Sequence, residues 1–353
     1  MPGESKFQSP RTLPSVASFF GFDIASEENV ARLVWRDHGV VKTRTHSPGT
    51  GLGNIERLPG EKVRFLDFAV AEDGWTTLVT TSKRGIEVFD RPPGGMFGPS
   101  QLLTAKPSGF ADVEVSEEGG AVVTKPADES RGVERSAVRL PGETSFGPWI
   151  PVPGSGKRHF VGDQAMAANG TVTTLLSRGF AYFRKAHGFH IKVTELPPGG
   201  EFSPPVGISH GNASDALLLA DDSGRMLAVW QLSNGARITD PAYARRKLNG
   251  DWTDPVVLAT SHGAWLSAGS MTREGAIVLA AQRFDEGPDD MVAWYARPGH
   301  RLARQPEAVA PDVARGQFVE PHTAIDESGK ALYIWSTGQF GDDARVFVAN
   351  RRR

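Results

Sequence analysis

Arg84-Gly85, Arg131-Gly132 and Arg178-Gly179 place the same cationic dipeptide at three points, each 47 residues after the last, with Arg237 in the following stretch. A guanidinium offers a planar fork of donors that matches a carboxylate two bonds at a time, so three of them at equal steps would suit an anionic ligand. Histidines follow a similar cadence at His159, His210, His262 and His322, and His187 lies close to Arg178. Imidazole titrates near neutrality and serves as a general base, so Arg178 with His187 or His159 is the least chemistry a lyase acting on a uronate would need. Hydrolysis of an acidic sugar would ask for a Tyr and Glu pair as well. Of the four tyrosines, Tyr182 and Tyr243 fall on or near the relevant loops, and no neighbouring Glu is evident. Read without catalysis, Arg-Gly in a hairpin loop is an ordinary solvated turn, and a His at a strand end is an ordinary hydrogen-bonded residue.

Other chemistries are excluded more firmly. The chain has no cysteine, which removes thiol catalysis, disulfides and thiolate metal sites. The His spacing brings no two imidazoles to ligand distance, and Glu286-Gly287-Pro288-Asp289-Asp290 lacks the alternating oxygen ligands of a calcium loop, so no metal and no cofactor is expected. No Gly-x-Ser-x-Gly elbow, phosphate loop, His-Glu-x-x-His or dinucleotide fingerprint occurs. A net charge of -2 offers no field for nucleic acid or an anionic membrane, and no apolar run reaches the length of a membrane span. As written, the sequence reads as cytoplasmic; if a leader had been trimmed before Pro2, it would read as extracellular.

The residues that would hold these groups in place are repetitive. With 40 Gly and 25 Pro in 353 residues, the composition favours strands and tight turns over helices. An apolar alternating run, a short polar turn with Gly and a second apolar run recur seven times. The turns are Glu28-Asn29, Asp73-Gly74, Glu118-Gly119, Asn169-Gly170, Ser223-Gly224, Glu274-Gly275 and Ser328-Gly329. Trp35, Trp230 and Trp335 stand at one offset from their turns. Later in the unit comes an aromatic followed closely by proline, as in Phe97-Gly98-Pro99, Phe146-Gly147-Pro148, Phe202-Ser203-Pro204 and Trp252-Thr253-Asp254-Pro255. Proline has no amide to donate, so these segments belong at a sheet edge, and the aromatic would clamp that edge onto the adjacent sheet.

Intervals of about 45 to 55 residues match four-stranded blades. The pattern resembles the seven-bladed, sialidase-like β-propellers of bacteria, although the Asp-box of that group is not intact: Ala71-Glu72-Asp73-Gly74-Trp75-Thr76 keeps Asp and Gly and loses the residue between them. The resemblance implies an all-β, seven-bladed propeller in a single domain. Its blades would span roughly 14–60, 61–107, 108–155, 156–209, 210–260, 261–312 and 313–353, the last completed by 2–13. Pro2 to Pro10 nearly repeats Pro141 to Pro148, and that echo places the N-terminal strand, about Phe7 to Leu13, as the missing fourth strand of the seventh blade.

In such a fold the Arg-Gly loops and the His-bearing loops share one face around the channel mouth, with Phe110, Phe160, Trp265 and Phe318 beside the channel as platforms for sugar rings. The function expected is a non-catalytic ligand-binding or interaction propeller, taking an anionic carbohydrate or a protein surface. The alternative is a glycan-degrading hydrolase or polysaccharide lyase using the same face. The ligand-binding candidates are Arg84, Arg131, Arg178, His159, His187, His210, His262 and His322. The segment from Ser177 to His190, rich in basic and aromatic residues, is the longest departure from the repeat.

Overall fold

A computed structural model describes residues 11–13, 23–27, 30–47, 51–58, 62–71, 73–106, 109–127, 132–156, 159–177, 190–221, 223–233, 238–247, 249–258, 263–283, 289–313, 321–325, 329–337 and 345–351. Every regular element among them is a strand, and the strands form seven antiparallel sheets. The first sheet runs Asp23–Glu27, Val30–Asp37 and Val40–Ser47, the last of which pairs with both Gly51–Leu52 and Glu56–Arg57. Four strands make the second, Phe65–Val70, Thr76–Ser82, Gly85–Arg91 and Gln101–Thr104. In the third they are Asp112–Val115, Ala121–Lys125, Arg135–Arg139 and Ile150–Pro151, and in the fourth Phe160–Met166, Val172–Ser177, Lys192–Leu196 and Val206–Gly207.

The fifth sheet comprises Ala213–Ala220, Met226–Ser233, Ile238–Arg246 and Val256–Val257, and the sixth Ala264–Met271, Ile277–Arg283, Asp289–Ala296 and Glu307–Val313. The seventh draws three strands, His322–Ile325, Ala331–Thr337 and Arg345–Arg351, from the end of the chain. Its fourth, Arg11–Leu13, comes from the beginning, with Arg11 opposite Val348 and Leu13 opposite Val346. Residues 2–10 of the N-terminal segment, among them Phe7 to Pro10 of the expected strand, lie outside the described residues.

The repeated turns have a repeated physical form. In five of the seven, the glycine amide bonds back to a carbonyl three residues earlier: Gly74 to Ala71, Gly119 to Ser116, Gly170 to Ala167, Gly224 to Asp221 and Gly275 to Thr272. The glycine takes a left-handed backbone, with φ of 90° at Gly74 and 88° at Gly275, a conformation that costs other residues steric strain. The aromatic-to-proline segments are equally regular. Gly98, Gly147, Ser203 and Thr253 donate their amides to Asp90, Val138, Glu195 and Arg245 on the third strand of their own sheets. The following proline has no amide to offer and interrupts the pairing, which resumes beyond it at the outer edge, as Gln101 opposite Val88, Ile150 opposite Ser136 and Val256 opposite Tyr243.

The chain packs as two compact units, one of Phe19–Leu176 with Lys192–Val206, the other of Met1–Ser18, Ser177–Ile191 and Gly207–Arg353. Within the first unit, neighbouring sheets share apolar seams. Phe146 of the third sheet is buried against Val79, Ile86 and Val88 of the second, and Phe97 of the second packs with Val34, Val41 and Leu58 of the first. Phe202 of the fourth joins Val122 and Val138 of the third. These contacts place the aromatic clamps where the sequence pattern expects them. In the second unit, Leu227, Val229 and Tyr243 of the fifth sheet pack with Leu266, Leu279 and Trp294 of the sixth, and Val278, Ala280 and Met291 of the sixth pack with Tyr333 and Trp335 of the seventh.

Buried arginines tie the seams at one end. Arg139, 1% exposed, forms an ion pair with Asp90 of the preceding sheet, bonds Thr77 Oγ1 at 3.2 Å, and sits between the rings of Trp75 and Phe146. Arg351 repeats the device in the second unit, paired with Glu307 at 2.8 Å and 3.7 Å from the Tyr295 ring.

Candidate functional site

At the opposite end of the first unit, where each first strand begins, the chemistry is open to solvent. Phe65 starts the first strand of the second sheet opposite Thr81, next to the turn that carries Arg84. Asp112 starts the corresponding strand of the third sheet opposite Thr124, and Phe160 that of the fourth. The first strand of the third sheet lies beside those of the second and the fourth. Three phenyl rings are exposed here, Phe65 at 47%, Phe110 at 55% and Phe160 at 38%, and the first two meet edge to face at 6.4 Å. Exposed rings are costly to leave in water, and the Phe65–Phe110 pair, with Phe160 starting the first strand of the neighbouring sheet, marks a contact surface.

Strand alternation decides which way each residue points. Val113 and Val115 pack toward the second sheet, so Asp112 and Glu114 face the other way. From the fourth sheet, Gln164 reaches back to the third, where its amide nitrogen bonds Ser136 Oγ at 3.1 Å. Phe160, four residues earlier on the same strand, shares that face.

Glu134 sits just before the third strand of its sheet, 8% exposed, and accepts the Val161 amide hydrogen from the fourth sheet. Its own amide donates to Ser155 Oγ at 3.0 Å. Asp67 acts likewise one sheet earlier, accepting from the Val113 amide at 2.8 Å. In the second unit Gln231 Oε1 accepts from Leu266 at 3.1 Å. A side-chain oxygen on one sheet thus satisfies a strand amide at the next, which would otherwise be a buried donor without a partner.

The Glu134 carboxyl is pushed up from its ordinary 4.5 to about 7, chiefly by loss of water. The Val161 hydrogen bond works against that rise and the charge of Asp112 adds to it. Asp112 is exposed at the start of its strand, and the protein packed around it withdraws enough water to push its carboxyl up to about 6. Two neighbouring carboxyls that titrate close to neutrality can donate or accept a proton near physiological pH.

The sequence candidates divide. Arg84 is described, exposed at its turn, with its amide on Ser82 Oγ at 3.0 Å. The glycine after it has a packing reason of its own. A Cβ on Gly85 would lie 1.8 Å from the Thr104 carbonyl oxygen, and its φ is +130°. His159 is half-buried and exchanges backbone hydrogen bonds with Gly156, which places it beside Phe160. In the second unit, His210 is exposed ahead of the fifth sheet, and His322 begins the seventh, opposite Ile334. Trp265 is half-buried on the sixth. Arg131, Arg178, His187, His262 and Phe318 lie outside the described residues, as does nearly all of the segment from Ser177 to His190.

Sequence reasoning passed over Asp112 and Glu134, and over Asp215 in the second unit. Asp215 stands at a bulge in the first strand of the fifth sheet with φ of 43°, and burial raises its carboxyl above the ordinary range. A signal for the aspartates was present: the first strands of five successive sheets each carry one, Asp23, Asp67, Asp112, Asp163 and Asp215. Among the described residues no group of three or more His, Asp or Glu is placed to hold a metal ion, and no helix is long and apolar enough to cross a membrane.

The fold defines an all-β protein of seven antiparallel sheets with one open aromatic and acidic surface. No family model matches the sequence, and no curated protein matches it. Solved structures do. A protein of unknown function from Dyadobacter fermentans DSM 18053 is similar over 100% of both chains, with a TM-score of 0.55 and 11% identity. The polysaccharide lyase Uly1 is similar over 99% of this chain and 93% of its own, with a TM-score of 0.59 and 12% identity. The tricorn protease is similar over 96% of this chain and 35% of its own, with a TM-score of 0.54 and 8% identity. At these identities the likeness is one of fold.

Proposed function

We propose that the seven sheets are the blades of one closed β-propeller, completed by Arg11–Leu13, and that the chain binds a saccharide on the face where the first strands begin. The observation that carries the reading is the group of exposed rings, Phe65, Phe110 and Phe160, beside the carboxyls of Asp112 and Glu134. A pyranose presents a face of C–H groups to the electron-rich face of a phenyl ring and hydroxyls to carboxyl oxygens, and this surface offers both. That a solved structure of similar fold is a polysaccharide lyase agrees with a saccharide as ligand. A protein partner is the competing occupant of the same rings.

Catalysis is the second reading, and the carboxyl pair favours it. A carboxyl near 7 beside one near 6 resembles the division into proton donor and proton acceptor that glycoside cleavage uses. The test is a thermal-shift and calorimetric screen of neutral, acidic and amino oligosaccharides, followed by product analysis after prolonged incubation. Stabilisation by a sugar that is lost in Phe110→Ala and Phe160→Ala supports the binding reading, and chain shortening that is lost in Glu134→Gln supports the enzyme. No stabilisation by any oligosaccharide overturns both and leaves a protein-binding surface.

A further inference from the structure

We propose that an acidic polysaccharide lies along the open end of the second sheet, held by a row of cations that runs outward from the Phe65 and Phe110 rings. The inference rests on the saccharide reading above and adds the charge of the ligand, its direction and its length. The row follows from strand pairing. Phe65, Thr81, Ile86 and Thr104 stand opposite one another across the four strands. Just beyond that line come Arg64 before the first strand, Lys83 and Arg84 in the turn between the second and third, and Lys106 after the fourth.

Backbone bonds fix these positions. The Arg64 amide donates to the Thr81 carbonyl at 2.7 Å, the Arg84 amide to Ser82 Oγ at 3.0 Å and the Lys106 amide to Thr104 Oγ1 at 3.2 Å. Arg36 of the first sheet directs Nη1 to the carbonyls of Val63 and Arg64, which ties the inner end of the row to its neighbour. Arg64, Lys83, Arg84 and Lys106 are all exposed, and among the described residues none has a carboxylate partner. The acids of the same four strands are occupied elsewhere. Asp67 accepts the Val113 amide at 2.8 Å, Glu87 is buried and accepts from Ser100 Oγ at 3.1 Å, and Asp90 pairs with Arg139. Asp112, exposed at the start of the adjoining strand of the third sheet, sets one carboxyl against these four cations.

Neighbouring strands lie about 4.8 Å apart, so the row extends about 14 Å across the sheet. A single small anion reaches one or two of its members, and an exposed ion pair contributes little by itself. A chain with an anionic group on successive sugars engages all of them, while a ring at its inner end rests on the phenyl groups. Nucleic acid suits the surface less well. Phe65 and Phe110 meet at 68°, which forms no parallel slot for a planar base, and the net charge of -2 supplies no wider field.

The experiment is titration calorimetry of the full chain with oligogalacturonates and sulfated heparin oligosaccharides, from disaccharide to hexasaccharide. Neutral cello-oligosaccharides of equal length and a single-stranded oligonucleotide are the comparisons, each at low and at physiological salt. We expect an acidic hexasaccharide of either kind to bind about 10-fold more tightly than the neutral one, with the advantage shrinking as salt rises. Lys83→Glu combined with Arg84→Glu, on an exposed turn, removes that advantage and leaves binding of the neutral sugar in place. Lys106→Glu narrows the gap between acidic hexasaccharide and acidic disaccharide, because only the longer chain reaches the outer strand. Equal or tighter binding of the neutral sugars, or an acidic advantage that the turn variant leaves intact, overturns the cationic row and leaves the saccharide reading standing. A length dependence untouched by Lys106→Glu overturns the outward direction. Tighter binding of the oligonucleotide than of any acidic sugar overturns the assignment to a polysaccharide. Failure of every sugar to bind overturns the saccharide reading itself.

Discussion

Glu134 gives the structure a pH dependence that one substitution removes. Folded, its carboxyl holds a proton up to about pH 7; unfolded, it loses that proton near 4.5. Between those values the folded chain carries a proton that the unfolded chain has released, so each step up in pH favours unfolding. The contribution is fully present below 4.5 and has gone once the pH passes about 7. At 1.36 kcal/mol per pH unit the loss across that window is about 3 kcal/mol.

Glu134→Gln keeps an oxygen for the Val161 amide and cannot ionise, so the loss that Glu134 contributes is absent from it, while the losses from the raised carboxyls of Asp112 and Asp215 remain in both proteins. The assay is urea unfolding followed by tryptophan fluorescence at intervals from pH 4.5 to 8.5. The variant should match the parent near pH 4.5 and exceed it by about 3 kcal/mol at pH 8. The slope against urea should be unchanged. Parallel pH profiles for the two proteins, or a variant less stable than its parent at pH 8, would refute the argument that burial holds this carboxyl neutral.

Other outcomes follow from the same structure. Arg139→Leu leaves Asp90 without its cation and should cost about 3 kcal/mol, the low end for a broken buried pair because Asp90 keeps some water, and Asp90→Leu in the same chain should recover part of it by a double-mutant cycle. Gly85→Ala forces a Cβ onto the Thr104 carbonyl at a positive φ and should lower stability by about 2 kcal/mol or more in chemical denaturation. Deleting residues 2–13 strips the outer strand of the seventh sheet and should lower the melting midpoint by several degrees, about 2 kcal/mol for the ladder bonds of Arg11–Leu13 alone; an unchanged midpoint would remove that strand from the account of stability. Phe110→Ala should leave folding intact, since the ring is 55% exposed, while weakening saccharide binding about 10-fold by calorimetry.

The turn glycines, the repeated tryptophans and the aromatic-to-proline segments were legible as elements because each obeys a local rule. A positive φ needs glycine, alternation sets the buried face, and a proline confines its segment to a sheet edge. Trp35, Trp230 and Trp335 are buried as their shared offset implies, and Phe97, Phe146 and Phe202 clamp neighbouring sheets. The Arg-Gly repeat was less transparent. Its period pointed to ligand chemistry, yet at Gly85 the glycine is required by a carbonyl from a strand almost twenty residues away, a contact no dipeptide reveals.

By itself the sequence determined that this chain forms strands in seven repeated units, four-stranded in six of the seven sheets, and that Arg11–Leu13 pairs with the last strand, because turn conformation and apolar alternation are set within a few residues. The candidate site was decided by tertiary structure. Asp112 and Glu134 are ordinary acids in the chain; they become a pair with shifted protonation when the third and fourth sheets pack and withdraw water from both. That change depends on the number of protein atoms around a carboxyl, a quantity that exists only after folding.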